Sequence, residues 1–264
     1  MNNITSSQNK LLKQLKKLVY SQKERNKTGL AILEGIHLAE SYLQHVGAPQ
    51  QCVFAEDALQ NSEAKKIIEK CQASSVECIQ ISKALFKEIS MVENGVELIF
   101  VISIPETNAV RQLNENAVLL EGVQDPGNVG TILRTAAAAG VKKIYCSVGT
   151  ASAWSPKVLR AGMGAQFALD VFENVDLTKL VQNSDIQVLA TTLSAKTTIY
   201  ETDLMQETAW IIGNEGGGVS RELLALDVKE VTIPQAAGVE SLNASAAAAI
   251  CLFEQVRQQS SLTE

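Results

Sequence analysis

Short β-rich runs alternate with helical stretches from Leu30 almost to the C-terminus, and that alternation restricts a chain to sheets covered by helices. In the first part the runs 30–33, 51–55, 76–81 and 97–103 are separated by helical patterns over 36–46, 63–71 and 83–89. A small α/β domain over residues 1–104 is the expectation. Pro105 and a polar composition break the pattern over 105–116, a candidate linker. Beyond it, strands are expected at 117–122, 143–148, 168–172, 187–192, 209–213 and 230–233, with helices starting near Asn128, Ser155, Leu177, Ser220 and Glu240. This second domain, 117–264, reads as a mostly parallel sheet with both faces covered. In such sheets ligands sit beyond the carboxyl ends of the strands, so the loops that follow strands are where chemistry is sought.

Composition narrows the function. With 46% hydrophobic and 20% charged residues, the 264-residue chain can bury a core, which excludes global disorder. No apolar run approaches the roughly 20 residues of a bilayer span, and the polar N-terminus lacks a signal-peptide core, so a cytoplasmic protein without membrane contact is expected. Five cysteines (Cys52, Cys71, Cys78, Cys146, Cys251) are scattered and never form a C-x-x-C pair. Reduced, buried side chains are expected, with neither a disulfide framework nor a zinc site. His37 and His45 stand without an acidic partner at metal spacing, so no metal is expected and catalysis must proceed without histidine. The net charge of −6 is unevenly spread: residues 1–27 carry a local +6, leaving −12 over the rest. Lys10, Lys13, Lys16 and Lys17 interleave with Leu11, Leu12, Leu15, Leu18 and Val19 at helical spacing, so one face can pack while the other offers charge to phosphates.

Three loops of the second domain stand out. After the strand at 117–122 comes Gln124-Asp125-Pro126-Gly127-Asn128, where Asn128 can cap a helix that carries Arg134 nearly two turns on. After 209–213 comes Asn214-Glu215-Gly216-Gly217-Gly218, whose glycines let backbone approach a ligand. Without G-K-[ST], and with Glu215 repelling polyphosphate, this is no phosphate loop, and it also fails G-x-G-x-x-G. After Ile233-Pro234, the polar residues Ser241, Asn243 and Ser245 gather at the start of an apolar helix, where free N–H groups could hold a polar ligand.

In order, N-V-G-T-I-L-R-T-A, I-I-G-N-E-G-G-G-V-S and I-P-x-x-x-G-V-E-S-L-N-A-S resemble the three motifs of the SpoU/TrmH family, S-adenosylmethionine-dependent RNA ribose 2′-O-methyltransferases of the SPOUT class. The segment S-P-K-V-L-R-A-G-M-G-A between the first two motifs is also similar to the family, and L-E-G-I-H-L-A-E resembles its N-terminal substrate-binding domain. The resemblance implies an α/β fold with a C-terminal trefoil knot and a homodimer formed through the C-terminal domain, with an active site completed across the interface. It implies catalytic roles for Arg134, Asn128, Glu215, Ser241 and Asn243. It places S-adenosylmethionine against Thr191, Thr192, Leu193, Gly213, Asn214, Glu215, Ile233, Leu242 and Asn243. It also makes Lys10, Lys13, Lys16 and Lys17 candidates for RNA contact, with ribosomal RNA preferred to transfer RNA. Two other classes fit parts of the sequence. A non-catalytic RNA-binding or ribosome-assembly factor could share the fold, although Arg134 and Asn243 are both present. A nucleotide-dependent oxidoreductase would need the missing glycine fingerprint.

Overall fold

The computed structural model describes residues 2–4, 6, 8–92, 95–107, 112–236 and 241–260. The chain forms two compact units, one of residues 1–106 with 154–167 and the other of 107–153 with 168–264.

The first unit runs β1 (Asn2–Ile4), α1 (Lys10–Tyr20), α2 (Gln22–Thr28), β2 (Leu30–Glu34), α3 (Ile36–His45), β3 (Gln51–Ala55), α4 (Ser62–Ala73), β4 (Glu77–Ile81), α5 (Lys83–Lys87) and β5 (Leu98–Ser103). Its sheet has the order β1-β4-β3-β5-β2, with β1, β4 and β3 parallel and β5 antiparallel to both β3 and β2. Strand β1, three residues long, carries too short a pattern to be seen in the sequence. Helix α1 starts where the Asn9 side chain accepts from the Leu11 N–H, and it buries Leu12, Leu15, Leu18 and Val19. It ends at Ser21, whose extended backbone breaks the helix and whose side chain caps α2. One member of the basic segment turns inward. Arg25 is buried, and its Nη1 donates to the Leu18 carbonyl at 2.8 Å and the Val19 carbonyl at 3.2 Å, two of the carbonyls a helix leaves unpaired at its C-terminus. Lys16 pairs with Glu88, whereas Lys10, Lys13 and Lys17 are exposed.

The second unit opens with β6 (Ala117–Leu120), α6 (Pro126–Ala138) and β7 (Lys143–Ser147). The chain then returns to the first unit, where α7 (Pro156–Gly162) packs on β2. The second unit resumes with β8 (Asp170–Val175), α8 (Leu177–Gln182), β9 (Gln187–Thr191), β10 (Thr208–Ile212), α9 (Arg221–Leu224), β11 (Lys229–Val231) and α10 (Ala244–Ser260). Six strands in the order β11-β9-β10-β6-β7-β8 pair in parallel throughout. Strands covered on both faces are continuously apolar, as Ala117-Val118-Leu119-Leu120 and Ala209-Trp210-Ile211-Ile212 are.

Two sequence expectations shift. The strand expected at 168–172 begins at Asp170, because residues 165–168 close a 3₁₀ turn after Met163 and Gly164, both at positive φ. The end of the expected linker is packed rather than free. Leu113 is buried and bridges Ser184, and the Asn116 Oδ1 accepts from the Thr208 N–H at 2.8 Å and from the Gln255 Nε2 at 2.7 Å. The Gln255 Oε1 in turn accepts from the indole N–H of the fully buried Trp210, which fixes α10 to the sheet. Residues 108–111 of that linker, and the helix start expected near Glu240, lie outside the described residues. All five cysteines are buried and free. Among the described residues no helix is long and apolar enough to cross a membrane.

Candidate active site

Parallel pairing brings the carboxyl ends of β11, β9, β10 and β6 to one edge of the second unit's sheet, with Val231 beside Thr191 and Ile212 beside Leu120. The loops that follow these strands carry the three motifs.

The loop after β10 is a closed, rigid turn. Asn214 and Gly218 exchange backbone hydrogen bonds of 3.0 and 2.9 Å, and the Asn214 Oδ1 accepts from the N–H groups of Gly216 and Gly217. Gly213 is required at its base: a Cβ there would lie 2.3–2.5 Å from the backbone of Gly218 and Val219. Two further bonds tie this turn to the loop after β6. The Asn214 Nδ2 donates to the Gly122 carbonyl at 2.8 Å, and the Ser220 N–H donates to the Glu121 Oε2, also at 2.8 Å.

Glu215 joins the same two loops. Its Oε2 accepts from the Gln124 N–H at 3.1 Å, and its Oε1 accepts from the Asp125 N–H at 3.1 Å and the Asn128 Nδ2 at 3.0 Å. Partial burial pushes this carboxyl up, but those bonds, with one from its own N–H, prevail and hold it below the usual carboxylate range. An ionised Glu215 accepts only, so the Asn128 amide must turn its nitrogen toward Glu215 and its oxygen away. That oxygen accepts from the Asn243 Nδ2 at 2.9 Å. The Asn243 Oδ1 then accepts from the Ser245 N–H and Oγ at 2.9 and 2.6 Å, capping α10. One negative charge thus sets the orientation of two amides 115 positions apart in the chain.

The helix cap differs from the sequence expectation. Asp125 caps α6, its Oδ1 accepting from the Asn128 N–H at 2.8 Å, while Asn128 sits inside the first turn, buried. Proline favours the first helical position, so Pro126 marks the residue before it as the cap. Asp125 and Glu121 are the two site residues that sequence reasoning missed. The Asp-Pro pair signals the first, whereas Glu121 acts across space and leaves no local pattern.

The other candidates divide. Asn128, Glu215 and Asn243 form one network, with Asn214 and Gly213 shaping the turn beside it. Thr192 is engaged at the sheet edge, its N–H donating to the Val231 carbonyl and its Oγ1 to the Glu230 Oε2 at 2.7 Å. Thr191 and Leu242 are half-buried, Ile233 is buried and Leu193 is 66% exposed. Ser241 is exposed. Arg134, six residues and about 9 Å along α6 from Asn128, is exposed and has no hydrogen-bond or ion-pair partner among the described residues. The Gln235 Oε1, in the loop after β11, is buried and also lacks a partner. Lys10, Lys13, Lys16 and Lys17 belong to the first unit. Among the described residues no group of three histidine, cysteine or acidic side chains could hold a metal ion.

The chain is similar to known proteins over both units. The model of the SpoU rRNA methylase family matches residues 115–253, and that of the MRM3-like substrate binding domain matches residues 9–99. An uncharacterised tRNA/rRNA methyltransferase of Synechocystis sp. is 34% identical over 97% of this chain and 94% of its own length. The 23S rRNA (guanosine(2553)-2′-O)-methyltransferase RlmP of Bacillus subtilis is 30% identical over 96% of this chain and 98% of its own. The crystal structure of an AdoMet-bound rRNA methyltransferase from Sinorhizobium meliloti superposes with a TM-score of 0.82 at 27% identity, covering 97% of each chain. With its motifs gathered at the carboxyl edge of a parallel sheet and 97% of its length matched by a relative, this chain belongs to the SpoU rRNA methylase family.

Proposed function

We propose that this chain transfers a methyl group from S-adenosylmethionine to a ribose 2′-hydroxyl of structured RNA, ribosomal RNA in preference to transfer RNA. The observation that carries this reading is the Glu215–Asn128–Asn243 network, a preorganised polar surface at the strand ends where such sheets bind ligands. The cofactor suits the residues there: the unpartnered Gln235 Oε1 offers an acceptor to an amino group such as that of adenine. Thr191, Thr192, Leu193, Gly213, Asn214, Ile233 and Leu242 would surround the cofactor. When bound it supplies an electrophilic methyl on a sulfonium, so this chain mainly has to orient the ribose and manage one proton.

Asn128 and Asn243 orient, and Glu215 fixes their amides. A guanidinium presents five N–H donors and no acceptor. Arg134 therefore acts by stabilising the developing alkoxide or a neighbouring phosphate rather than as a base. Its exposure and its lack of a partner among the described residues support a homodimer in which Arg134 completes the partner's site. Ser241 lies exposed beside the Asn243 cap, where it can meet the ribose. The C-terminal part of the second unit is read as a trefoil knot. Lys10, Lys13 and Lys17 supply phosphate contacts, and the protein works in the cytoplasm.

The test is transfer of labelled methyl from S-adenosylmethionine to ribosomal and small RNA, followed by nucleoside analysis. Label in a 2′-O-methylnucleoside is expected. Arg134→Ala should lower the single-turnover rate about 10²–10³-fold, as loss of an oxyanion-type donor does, with cofactor affinity unchanged. A methylated base in place of the ribose would overturn the assigned chemistry.

A further inference from the structure

Helix α1 presents one large aromatic side chain to solvent. Its other apolar residues, Leu11, Leu12, Leu15, Leu18 and Val19, are buried or half-buried, yet Tyr20, the last residue of the helix, is 66% exposed. The Tyr20 ring and hydroxyl have no hydrogen bond, stacking ring or cation among the described residues. A single exposed aromatic is ordinary, whereas its register with charge is not. At about 100° per residue, Lys10, Lys13, Lys17 and Tyr20 fall within an arc of about 80° on the helix and span about 15 Å along it, and all four are exposed. Lys16, on the flank of this stripe, is bonded to Glu88, and Glu24, the one acidic residue of 1–27, is half-buried.

The backbone beneath Tyr20 is fixed. The Ser21 N–H donates to the Lys17 carbonyl at 2.8 Å, and the buried Arg25 guanidinium takes up the carbonyls of Leu18 and Val19. Helix ends ordinarily fray, but here the three carbonyls before Tyr20 are all paired. Ser21 is extended and caps α2, its Oγ accepting from the Glu24 N–H at 3.2 Å, so the chain turns directly after Tyr20 into a second helix that exposes Lys23 and Lys27. An aromatic ring on a fixed backbone loses only two side-chain torsions on contact, so little entropy opposes its use. Such a surface fits a strand that carries both anionic groups and flat faces, with lysines meeting phosphates and the ring meeting a base. Bases inside a duplex are already stacked on their neighbours, whereas an unpaired one has a face to offer.

We propose that Tyr20 stacks on an unpaired base of the RNA whose phosphates the α1 lysines hold. The proposal rests on the RNA-methyltransferase reading. It is tested on the full chain without cofactor, by fluorescence anisotropy of a labelled RNA dodecamer without self-complementarity and of the duplex it forms with its complement. Loss of one base–aromatic stack should weaken binding of Tyr20→Ala to the single strand about tenfold and leave duplex affinity unchanged. The slope of log affinity against log salt should stay the same, since the ring neutralises no phosphate. Tyr20→Phe should bind as the wild type does, whereas Tyr20→Leu, apolar but without a π face, should weaken binding nearly as much as alanine. Alanine favours a helix more than tyrosine does, so the exposed substitution keeps the fold. Unchanged single-strand affinity of Tyr20→Ala overturns the proposal and would leave the ring to a protein surface. Full rescue by leucine overturns it by making the contact merely apolar, and an equal loss on the duplex overturns it by removing the need for an unpaired base. Absence of wild-type binding to the single strand does the same. If Tyr20→Ala binds as the wild type does while the wild type methylates ribose, only this inference falls. The expected loss in a protein that methylates no ribose would instead fail the reaction reading and leave the stacking assignment standing.

Discussion

The two sheets gather residues from distant parts of the chain in different ways. In the second unit every strand pairing is parallel, so the loops after β6, β10 and β11 meet at one edge and Asn128, Glu215 and Asn243 close a hydrogen-bonded network within the chain. In the first unit β5 runs against β2, so the end of one strand meets the beginning of the next, and the carboxyls there are engaged locally, Glu34 with Ser90 and Met91 and Glu97 with Asp57 and Lys83. A network whose amides are already held in place is preorganised and suits chemistry that depends on fixed geometry. The first unit instead offers charge, in the exposed lysines of α1, which suits the positioning of a phosphate backbone.

The sharpest way to break the preorganised half of this comparison is Gly213→Ala. The added Cβ meets backbone rather than a yielding side chain, at 2.3 Å from the Gly218 carbonyl carbon and 2.4 Å from the Val219 nitrogen. The Asn214–Gly218 turn must open to admit it. A loss of about 3 kcal/mol, the upper end for overpacking, is expected in chemical denaturation, together with loss of S-adenosylmethionine binding by calorimetry. Stability and cofactor affinity both within error of the wild type would show that the turn yields freely and that the edge is not preorganised.

Glu215→Gln is gentler and tests the charge alone. A glutamine keeps the shape but turns an NH₂ toward donors, so the amides of Asn128 and Asn243 lose their fixed orientation. Methyl transfer should fall about 10²-fold, the effect of slight misplacement at a reacting centre, with little change in overall fold. The pH dependence supplies a second readout. Because the folded carboxyl sits below its ordinary value of 4.5, its contribution to stability is fully present above that value and is lost as pH falls through the folded one. The stability gap between wild type and variant should therefore be full at pH 7 and shrink below about pH 4.5. A gap that does not change with pH would mean that the ionised carboxylate is not what holds the network.

Much of the fold is legible in the sequence because buried parallel strands are short continuous apolar runs bounded by turn residues, and β6, β7, β9 and β10 begin and end within about two residues of where those runs do. The motif residues that meet at the strand ends were also legible, through their order along the chain. What escapes is whatever depends on contact through space. Arg25 reads as one more positive charge, yet its guanidinium pairs the end of α1. The segment around α7 carries a family-like pattern, but nothing in seven residues says which core it joins, and it joins that of the first unit. Glu97 sits in an ordinary strand entry, and its raised carboxyl follows from burial and from where Asp57 lies. Asn128 was misread as a cap because its own capping propensity drew attention from Pro126, which points one residue back to Asp125.

The smallest effect sharpens the recognition half. Lys10, Lys13 and Lys17 are exposed, whereas Lys16 is half-buried and bonded to Glu88, so four lysines that look alike in sequence differ in what they can offer a phosphate. Each lysine that neutralises a phosphate steepens the dependence of binding on salt by about 0.7–0.9 in a log–log plot. Replacing Lys10, Lys13 and Lys17 together with alanine should flatten that slope by about 2 for RNA, measured by anisotropy across a salt series. Lys16→Ala should leave the slope unchanged and shift stability by no more than about 1 kcal/mol, as surface ion pairs do. If Lys16→Ala instead flattens the slope as much as any exposed lysine, the Lys16–Glu88 pair opens when RNA binds. The basic face of α1 would then be completed by its ligand, whereas the Glu215–Asn128–Asn243 network is closed within the chain itself.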